Sequence, residues 1–196
     1  MAGGLQALKD ELARFGEAND AAAAATGGPR MLNITPDTGE LLAVLVRSTR
    51  ARRVLEIGTS NGYSTLWLAE AVAATGGHVT TLESSGAKVA MAQRTFARSG
   101  LDRHIALVHA DAGAWLAQAP ASGFDLVFLD SDRSRYLDWW PALRRALRPG
   151  GLLVVDNAVS HAGEMAGFER ALRGDGEFAC ALVPVGKGEL LAVRAG

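Results

Sequence analysis

The sequence predicts an α/β fold in which a mostly parallel sheet is covered by helices on both faces. Short apolar strands alternate with helices five times between residues 53 and 172. The run Val54–Ile57 is apolar and ends at a glycine, as expected of a strand buried on both faces of a parallel sheet. Two last strands, Phe178–Val183 and Leu190–Val193, flank a glycine-rich turn that indicates an antiparallel hairpin. We therefore expect five parallel units closed by a hairpin.

The first thirty residues predict a helical extension of a single domain that spans residues 1–196. Apolar residues recur there at helical spacing, at Leu5, Leu8, Leu12 and Phe15. This amphipathic helix is expected to end before Thr26 and either to cap the domain or to pair with a second subunit in a homodimer. An extended loop, Met31–Thr35, should follow. Pro36 then indicates the start of a helix that runs through Val46, with Thr35 at its N-cap.

From Arg53 onward each predicted strand is followed by a predicted helix. The pairs are Val54–Ile57 with Tyr63–Ala74, His78–Leu82 with Gly86–Ser99, Ile105–His109 with Ala112–Ala119, Phe124–Leu129 with Ser134–Leu147, and Leu152–Val155 with Gly163–Leu172. No repeat or linker divides the chain.

Composition narrows the class of protein. At 196 residues and a formal net charge of −1, the chain has no basic field that would suggest a nucleic-acid or membrane partner. A single cysteine, Cys180, excludes an internal disulfide and makes a zinc–thiolate cluster implausible. The charged N-terminal residues lack the apolar core of a signal peptide. These features favour the cytoplasm.

The turn after the first strand carries the most specific signal. The dinucleotide fingerprint G-x-G-x-x-G, counted from Gly58, fails because Ser60 and Tyr63 occupy its glycine positions. The pattern from Glu56 to Gly62 is instead E-x-G-x-x-x-G, which resembles the first motif of class I S-adenosylmethionine (SAM) methyltransferases. A helix that opens after a glycine turn directs free N–H groups at a ligand. The ligand expected here is a nucleoside without a pyrophosphate.

Ligands of open α/β sheets bind beyond the carboxyl ends of the strands. A carboxylate at Glu83, after the second strand, can accept both hydroxyls of a ribose, although a lone Glu there also serves as a helix N-cap. The resemblance implies that Glu56, Gly58 and Ser64 surround the methionine end and that the backbone of Asn33 and Ile34 closes over the carboxylate. The remaining cofactor-binding candidates at the strand ends are Ser60, Ser84, Asp111, Ala112 and Asp130, with Asp111 and Ala112 near the base.

A second group of polar residues follows strands four and five, which are neighbours in this kind of sheet. Asp130, Asp156 and Asn157 should converge at one edge, and their oxygens suit Mg²⁺. Two carboxylates so close would repel each other unless a cation lay between them. Two alternatives stay open. Asp130 could bind the SAM amino group without a metal, and Asp156 with Asn157 could cap a turn.

These motifs together resemble the cation-dependent O-methyltransferases, the caffeoyl-CoA and catechol O-methyltransferase family with its bacterial members. The resemblance covers about residues 32–194 and includes N-I-T-P-D-T-G-E at 33–40, F-D-L-V-F-L-D at 124–130, L-R-P-G-G at 147–151 and V-V-D-N at 154–157. It implies a three-layer, Rossmann-like sheet of strand order 3-2-1-4-5-7-6. It also implies SAM as methyl donor and a divalent metal, held by Asp130, Asp156 and Asn157, that chelates two adjacent oxygens of the acceptor.

One position departs from the family pattern. The family usually has a lysine, acting as general base, three residues after the first metal-binding Asp; here that residue is Arg133. A guanidinium stays protonated at ordinary pH, so Arg133 cannot accept a proton, although it can stabilise a phenolate or bind an acidic group. Arg133 and Asp130 are the catalytic candidates. Deprotonation would fall to the metal, to a water or to another side chain, with Asp132 and His161 nearby in sequence.

The sequence therefore predicts a SAM-dependent O-methyltransferase that acts on a hydroxyl of a small, catechol-like molecule with the help of Mg²⁺ or another divalent cation. One rival hypothesis is a metal-independent methyltransferase in which Arg133 binds an acidic acceptor. The other is a SAM-binding protein that has lost catalysis, with the arginine at position 133 as its mark. Sensitivity to a chelator separates the metal-assisted methyltransferase from the metal-independent one.

Overall fold

A computed structural model describes residues 2–196 of the chain, with side chains from residue 4 onward. The helices are α1 (Ala2–Thr26), α2 (Pro36–Ser48), α3 (Tyr63–Thr75), α4 (Gly86–Ser99), α5 (Ala112–Gln118), α6 (Tyr136–Ala146) and α7 (Ala162–Gly174). The strands are β1 (Arg53–Ile57), β2 (His78–Glu83), β3 (Ile105–His109), β4 (Phe124–Leu129), β5 (Leu147–Val155), β6 (Phe178–Val183) and β7 (Glu189–Arg194).

The strands form a single seven-stranded sheet of order β3-β2-β1-β4-β5-β7-β6. The first five strands pair in parallel, while β7 is antiparallel to both β5 and β6. The predicted fold class and strand order are confirmed. Because the order reverses between β1 and β4, the carboxyl ends of these two strands border a crevice in which such folds bind ligands.

Successive residues of each central strand enter different hydrophobic cores, one on each face of the sheet. Leu55 and Ile57 of β1 pack in the core beneath α5, α6 and α7. Val54 packs in the other core, which also receives Leu8 and Leu12 of α1 and side chains of α2, α3 and α4. The helix α1 is thus part of one helical layer, and its alanine-rich end continues the helix to Thr26 because alanine has the highest helix propensity.

The prediction was wrong around residues 133–151. A helix was expected from Ser134 to Leu147, but a short 3₁₀ turn occupies Arg133–Arg135 and α6 ends at Ala146. The strand β5 begins at Leu147, which pairs with Phe124, instead of at Leu152. The segment R-P-G-G at 148–151 has the composition of a loop. Pairing with β4 recruits it into an irregular strand, and the register shifts there.

Thr35 precedes α2 in the extended conformation of an N-cap, as predicted, but its side chain caps no helical amide. Its hydroxyl donates to the Thr38 hydroxyl instead, at 3.1 Å. Across residues 2–196, none of the helices combines the length and the apolar character needed to cross a bilayer.

Candidate active site

A cavity of about 610 Å³ opens at the carboxyl ends of β1, β2, β4 and β5. Most of the sequence-predicted site residues line it: Asn33, Ile34, Gly58, Ser60, Ser64, Glu83, Ser84, Asp111, Ala112, Asp130, Arg133 and Asn157. Glu56 and Asp156 are both buried and do not line the cavity. The structure therefore gathers the predicted residues at one edge of the sheet, with these two carboxylates behind its wall.

The glycine turn after β1 forms the floor of this cavity. The amides of Gly58 and Thr59 both donate to the Leu82 carbonyl, at 3.1 and 3.2 Å, which ties the turn to β2. Gly58 has a φ of +108°, and a Cβ there would lie 1.9 Å from the Asp130 carbonyl oxygen. Only glycine therefore fits at this position, and its absent side chain lets β1 and β4 present their ends side by side.

The Glu83 carboxylate lies against this turn. One oxygen accepts from the Ser60 amide and the other from the Ser85 amide, each at 2.9 Å. A carboxylate has about four lone-pair positions, so Glu83 keeps acceptor capacity toward the cavity. The N-cap role considered from the sequence is wrong, because Ser85 is the N-cap of α4 and accepts from the Lys88 amide. Glu83 supports the start of α4 only through the Ser85 amide, and it lines the cavity.

Asp111 and Trp139 lie at the next part of the cavity wall. Asp111 is the N-cap of α5, where its side chain accepts from the Ala114 amide at 2.8 Å. A Cβ on Gly113 would lie 2.9 Å from the indole nitrogen of Trp139, so the ring packs directly on the start of α5. Trp139 is buried, and it also lines the cavity. Its position offers a flat apolar surface beside Asp111.

Glu56 is fully buried below the turn and accepts hydrogen bonds from three hydroxyls. Ser64 and Thr81 donate to its two oxygens at 2.6 Å each, and Thr65 also donates. Burial raises the pKa of Glu56 to about 7, although the three hydroxyl donors favour the charged form. Glu56 thus contacts a cavity-lining residue, Ser64, and holds it in place.

The segment at 31–34 forms the rim of the cavity, and α1 fixes it. The two carboxylate oxygens of Asp20 accept from the amides of Met31 and Leu32, at 2.6 and 2.8 Å. The Asn33 side chain donates to the Leu12 carbonyl at 3.0 Å. The Ser60 hydroxyl donates to the Met31 carbonyl at 2.9 Å, which joins the rim to the glycine turn. The N-terminal helix is therefore part of the site's scaffold.

Asp130, Asp156 and Asn157 lie together where β4 and β5 end. The Asn157 amide nitrogen donates to Asp156 at 2.7 Å and approaches Asp130 at 3.3 Å. Burial and the charge of Asp156 raise the pKa of Asp130 well above its usual range, and the charge of Lys187 opposes this. Two carboxylates held this close favour a proton or a cation between them.

The donor set at this point fits a divalent cation after one local change. The Asn157 side-chain amide must flip by about 180° so that its oxygen faces the two carboxylates. Its nitrogen would then face the Ser160 hydroxyl, which can accept a hydrogen bond. Among residues 2–196, no three His, Cys, Asp or Glu side chains are arranged to hold an ion. The predicted site has only two such side chains, and its third ligand is an amide.

Glu189 is a fourth polar residue at this site, and the sequence did not single it out. It is fully buried, its first carboxylate oxygen accepts from Thr38 at 3.0 Å, and its second has no hydrogen-bond partner. Burial, together with the nearby charge of Asp156, raises the pKa of Glu189 to about 9. Its position at the start of β7 gave no signal, because contact with Asp156 arises only through the pairing of β5 with β7.

Arg133 lies at the cavity wall with its guanidinium engaged. Its Nε donates to Glu164 of α7 at 2.9 Å, and the side chain is 20% exposed. Much of its charge is therefore compensated within the protein. Lys187, in the turn between β6 and β7, also lines the cavity, as do Asn61 and Lys88. The sequence analysis gave no site role to these three residues; only the glycine-rich turn around Lys187 was noticed.

Comparison with known proteins gives a consistent result. The family model described as O-methyltransferase matches residues 17–195. The chain belongs to the O-methyltransferase family. A catechol O-methyltransferase of Niastella koreensis is 34% identical over 153 residues, which are 74% of this chain and 69% of that protein. These matches confirm the family resemblance on which the sequence analysis relied.

Solved structures of O-methyltransferases share the fold. The enzyme from Bacillus cereus is in complex with SAH, the demethylated product of SAM. It superposes with a TM-score of 0.76 at 27% identity, over 91% of this chain and 89% of that one. The O-methyltransferase TomG from Streptomyces achromogenes, involved in tomaymycin synthesis and in complex with SAM, superposes with a TM-score of 0.75 at 28% identity, over 89% and 86%. This chain is thus an O-methyltransferase by family and by fold.

Proposed function

We propose that this O-methyltransferase transfers the methyl group of SAM to a hydroxyl of a small, catechol-like molecule with the help of a divalent cation. The observation that supports this most directly is the single cavity in which Glu83 lies against the Gly58 turn while Asp130 and Asn157 lie at its other side. In this proposal the nucleoside binds at Glu83 and the Gly58 turn, next to the group of oxygen donors. Of the relatives named above, the Niastella koreensis protein is a catechol O-methyltransferase. The Bacillus cereus structure contains SAH and the Streptomyces achromogenes structure contains SAM.

Each part of the cavity has a role in this proposal. Glu83 binds the ribose hydroxyls with its remaining lone pairs, and Asp111 and Ala112 lie at the base, beside the flat face of Trp139. The methionine part extends along Gly58 and Ser64 toward Asp130, with the rim at Asn33 and Ile34 closing over its carboxylate. Positioning of the two reactants in one enclosed space supplies much of the rate enhancement.

Asp130, Asp156 and Asn157 would hold the cation. A divalent cation bound there would supply Lewis-acid chemistry that lowers the pKa of an acceptor hydroxyl. The acceptor oxygen then forms a bond to the methyl carbon as the carbon–sulfur bond of SAM breaks, and SAH leaves. The hydroxyl proton passes to solvent, because Arg133 stays protonated and cannot accept it. Arg133 stabilises the negative charge on the acceptor oxygen.

The test is methyl transfer from labelled SAM to a panel of catechols, with Mg²⁺ or with EDTA. We expect activity that EDTA abolishes and Mg²⁺ restores. The variant Asp156→Asn should lose the Mg²⁺-dependent activity while its affinity for SAH changes less than about threefold, since Asp156 lies outside the cavity that binds the nucleoside. Full activity in EDTA would contradict the role of a metal.

One observation favours a second candidate, a methyltransferase that needs no metal. The Asn157 amide nitrogen already bridges Asp130 and Asp156, so the site can close around a hydrogen-bond donor in place of a cation. In that case Arg133 would bind an acidic acceptor. Activity that is independent of added cation, together with a large loss in Arg133→Met, would support this candidate over the first.

We further propose that residues 1–196 act as one domain in the cytoplasm, with no nucleic-acid or membrane partner. The continuous sheet and the packing of α1 against the same core support the single domain. The lone cysteine supports the cytoplasm, and the net charge of −1 supports the absence of nucleic-acid and membrane partners. A homodimer is also proposed, through the exposed side of α1 that carries Phe15. Sedimentation of the purified protein tests the dimer.

A further inference from the structure

Lys187 occupies a fixed place in the wall of the cavity. It lies in the turn between β6 and β7, and its carbonyl accepts from the amides of Val159 and Ser160, at 3.1 and 3.0 Å. The next residue, Gly188, accepts from the Ala158 amide at 2.7 Å. The turn is therefore bound along its length to the loop that follows Asn157, and the side chain starts from a rigid base.

The ammonium group of Lys187 is not neutralised by a close partner. Across the part of the chain that the structure describes, no carboxylate oxygen lies within 4.0 Å of it, whereas Arg133 in the same wall is paired with Glu164. Lys187 is only half-buried and lines the cavity. Lys187 thus forms part of the cavity wall, and its ammonium is available to a ligand.

The position of Lys187 in the sheet assigns it to the acceptor side. Glu83 and Asp111 follow β2 and β3, on one side of β1, and they form the proposed nucleoside region. Asp130, Asn157 and Lys187 follow β4, β5 and β6, on the other side. A group bound by Lys187 therefore belongs to the methyl acceptor and not to SAM.

We propose that Lys187 binds a carboxylate carried by the methyl acceptor, so that the preferred substrates are carboxylated catechols. This inference rests on the proposed function and specifies its substrate class. An ammonium on the cavity wall with no carboxylate of the protein beside it favours an anionic ligand, since a hydrogen bond between two charged groups is stronger than a neutral one. A single ammonium binds a carboxylate as a compact point charge. Because Lys187 then binds the carboxylate, the adjacent hydroxyls of the acceptor are free to face Asp130.

The experiment compares two acceptors of nearly identical shape, 3,4-dihydroxybenzoate and 3,4-dihydroxybenzamide, which differ in charge. For the wild type we expect kcat/KM to be about 10-fold or more higher for the acid. In Lys187→Met the value for the acid should fall about 10- to 100-fold, mainly through KM, while the value for the amide stays within about twofold. Lys187→Arg should keep most of the preference, because it keeps the charge.

A matched control and a binding measurement complete the test. Arg47→Met removes an exposed positive charge on α2 and should change neither acceptor's kcat/KM. Calorimetric titration of the SAH-loaded protein with each acceptor reports the same charge preference without turnover. An equal loss on both acceptors in Lys187→Met, or no loss on the acid, would overturn the role of Lys187. If the wild type methylates neither compound but binds the acid through Lys187, the proposed function fails and the carboxylate site stands.

Discussion

Asp20 offers a sharp test of how α1 contributes to the cavity. Its two carboxylate oxygens hold the amides of Met31 and Leu32, and these bonds fix the rim that we propose closes over the methionine end of SAM. Burial alone would raise the pKa of Asp20, but the hydrogen bonds from Met31, Asn19 and Leu32 outweigh it and lower that pKa below the usual range. Asp20 is therefore ionised at neutral pH, and both bonds are charge-assisted.

The change Asp20→Ala removes both bonds and leaves the two amides to water. Hydrogen bonds to charged groups contribute about 1.5–3 kcal/mol each, and replacement by water at this half-buried site reduces the net loss to about 1–2 kcal/mol. If the loss reduces the free energy with which the rim binds SAH, the Kd for SAH rises about 5- to 30-fold. kcat at saturating SAM should change little, because Asp20 supports the rim from behind and does not itself line the cavity. Leu32, with a φ of +53°, depends on these bonds to keep its unusual backbone conformation.

Isothermal titration of SAH into the wild type and into Asp20→Ala measures the effect. Asp10→Ala is a matched control, since Asp10 is a carboxylate on the same helix whose bond, from Gln6 at 2.8 Å, lies on the exposed surface. It should leave the affinity for SAH unchanged. An unchanged Kd in Asp20→Ala would refute the idea that α1 positions the rim, whatever happens to the melting temperature.

Three further predictions concern residues that line the cavity or lie behind its wall. Glu189 has a pKa raised to about 9, so the native protein binds its proton more tightly than the unfolded chain, and this stabilisation is lost as the pH rises from about 4.5 to about 9. Glu189→Gln should flatten that part of the stability profile, measured by urea unfolding in EDTA; a profile parallel to the wild type would contradict the assignment. Glu83→Gln should raise the Kd for SAH about 10-fold or more, because an amide has one acceptor oxygen where the carboxylate has two. An unaltered titration curve would argue against a ribose contact. Gly58→Ala places a methyl group against the Asp130 carbonyl and should cost about 3 kcal/mol or more of unfolding free energy, a claim that a melting temperature equal to the wild type would disprove.

Local sequence determined the architecture. Apolar strands such as Val54–Ile57, each followed by a helical stretch, require a parallel sheet covered on both faces, and glycine at position 58 identifies the ligand-binding turn because no other residue fits there. The positions of Asp130 and Asn157 next to each other, at the same sheet edge as Glu83, follow from the strand order alone, since the carboxyl ends of parallel strands meet at one edge. These predictions needed only patterns within short segments and the rules of sheet topology.

The tertiary structure decided how the charges around the cavity are distributed. The pairing of Arg133 with Glu164 joins residues 31 positions apart, and it changes Arg133 from a free cation into a compensated one. Lys187 enters the cavity wall, and Glu189 comes beside Asp156, only because β7 returns antiparallel to β5. The start of β5 at Leu147 likewise depends on its pairing with β4. Such contacts are set by packing between segments distant in the chain, and no local pattern in the sequence records which side chains will meet.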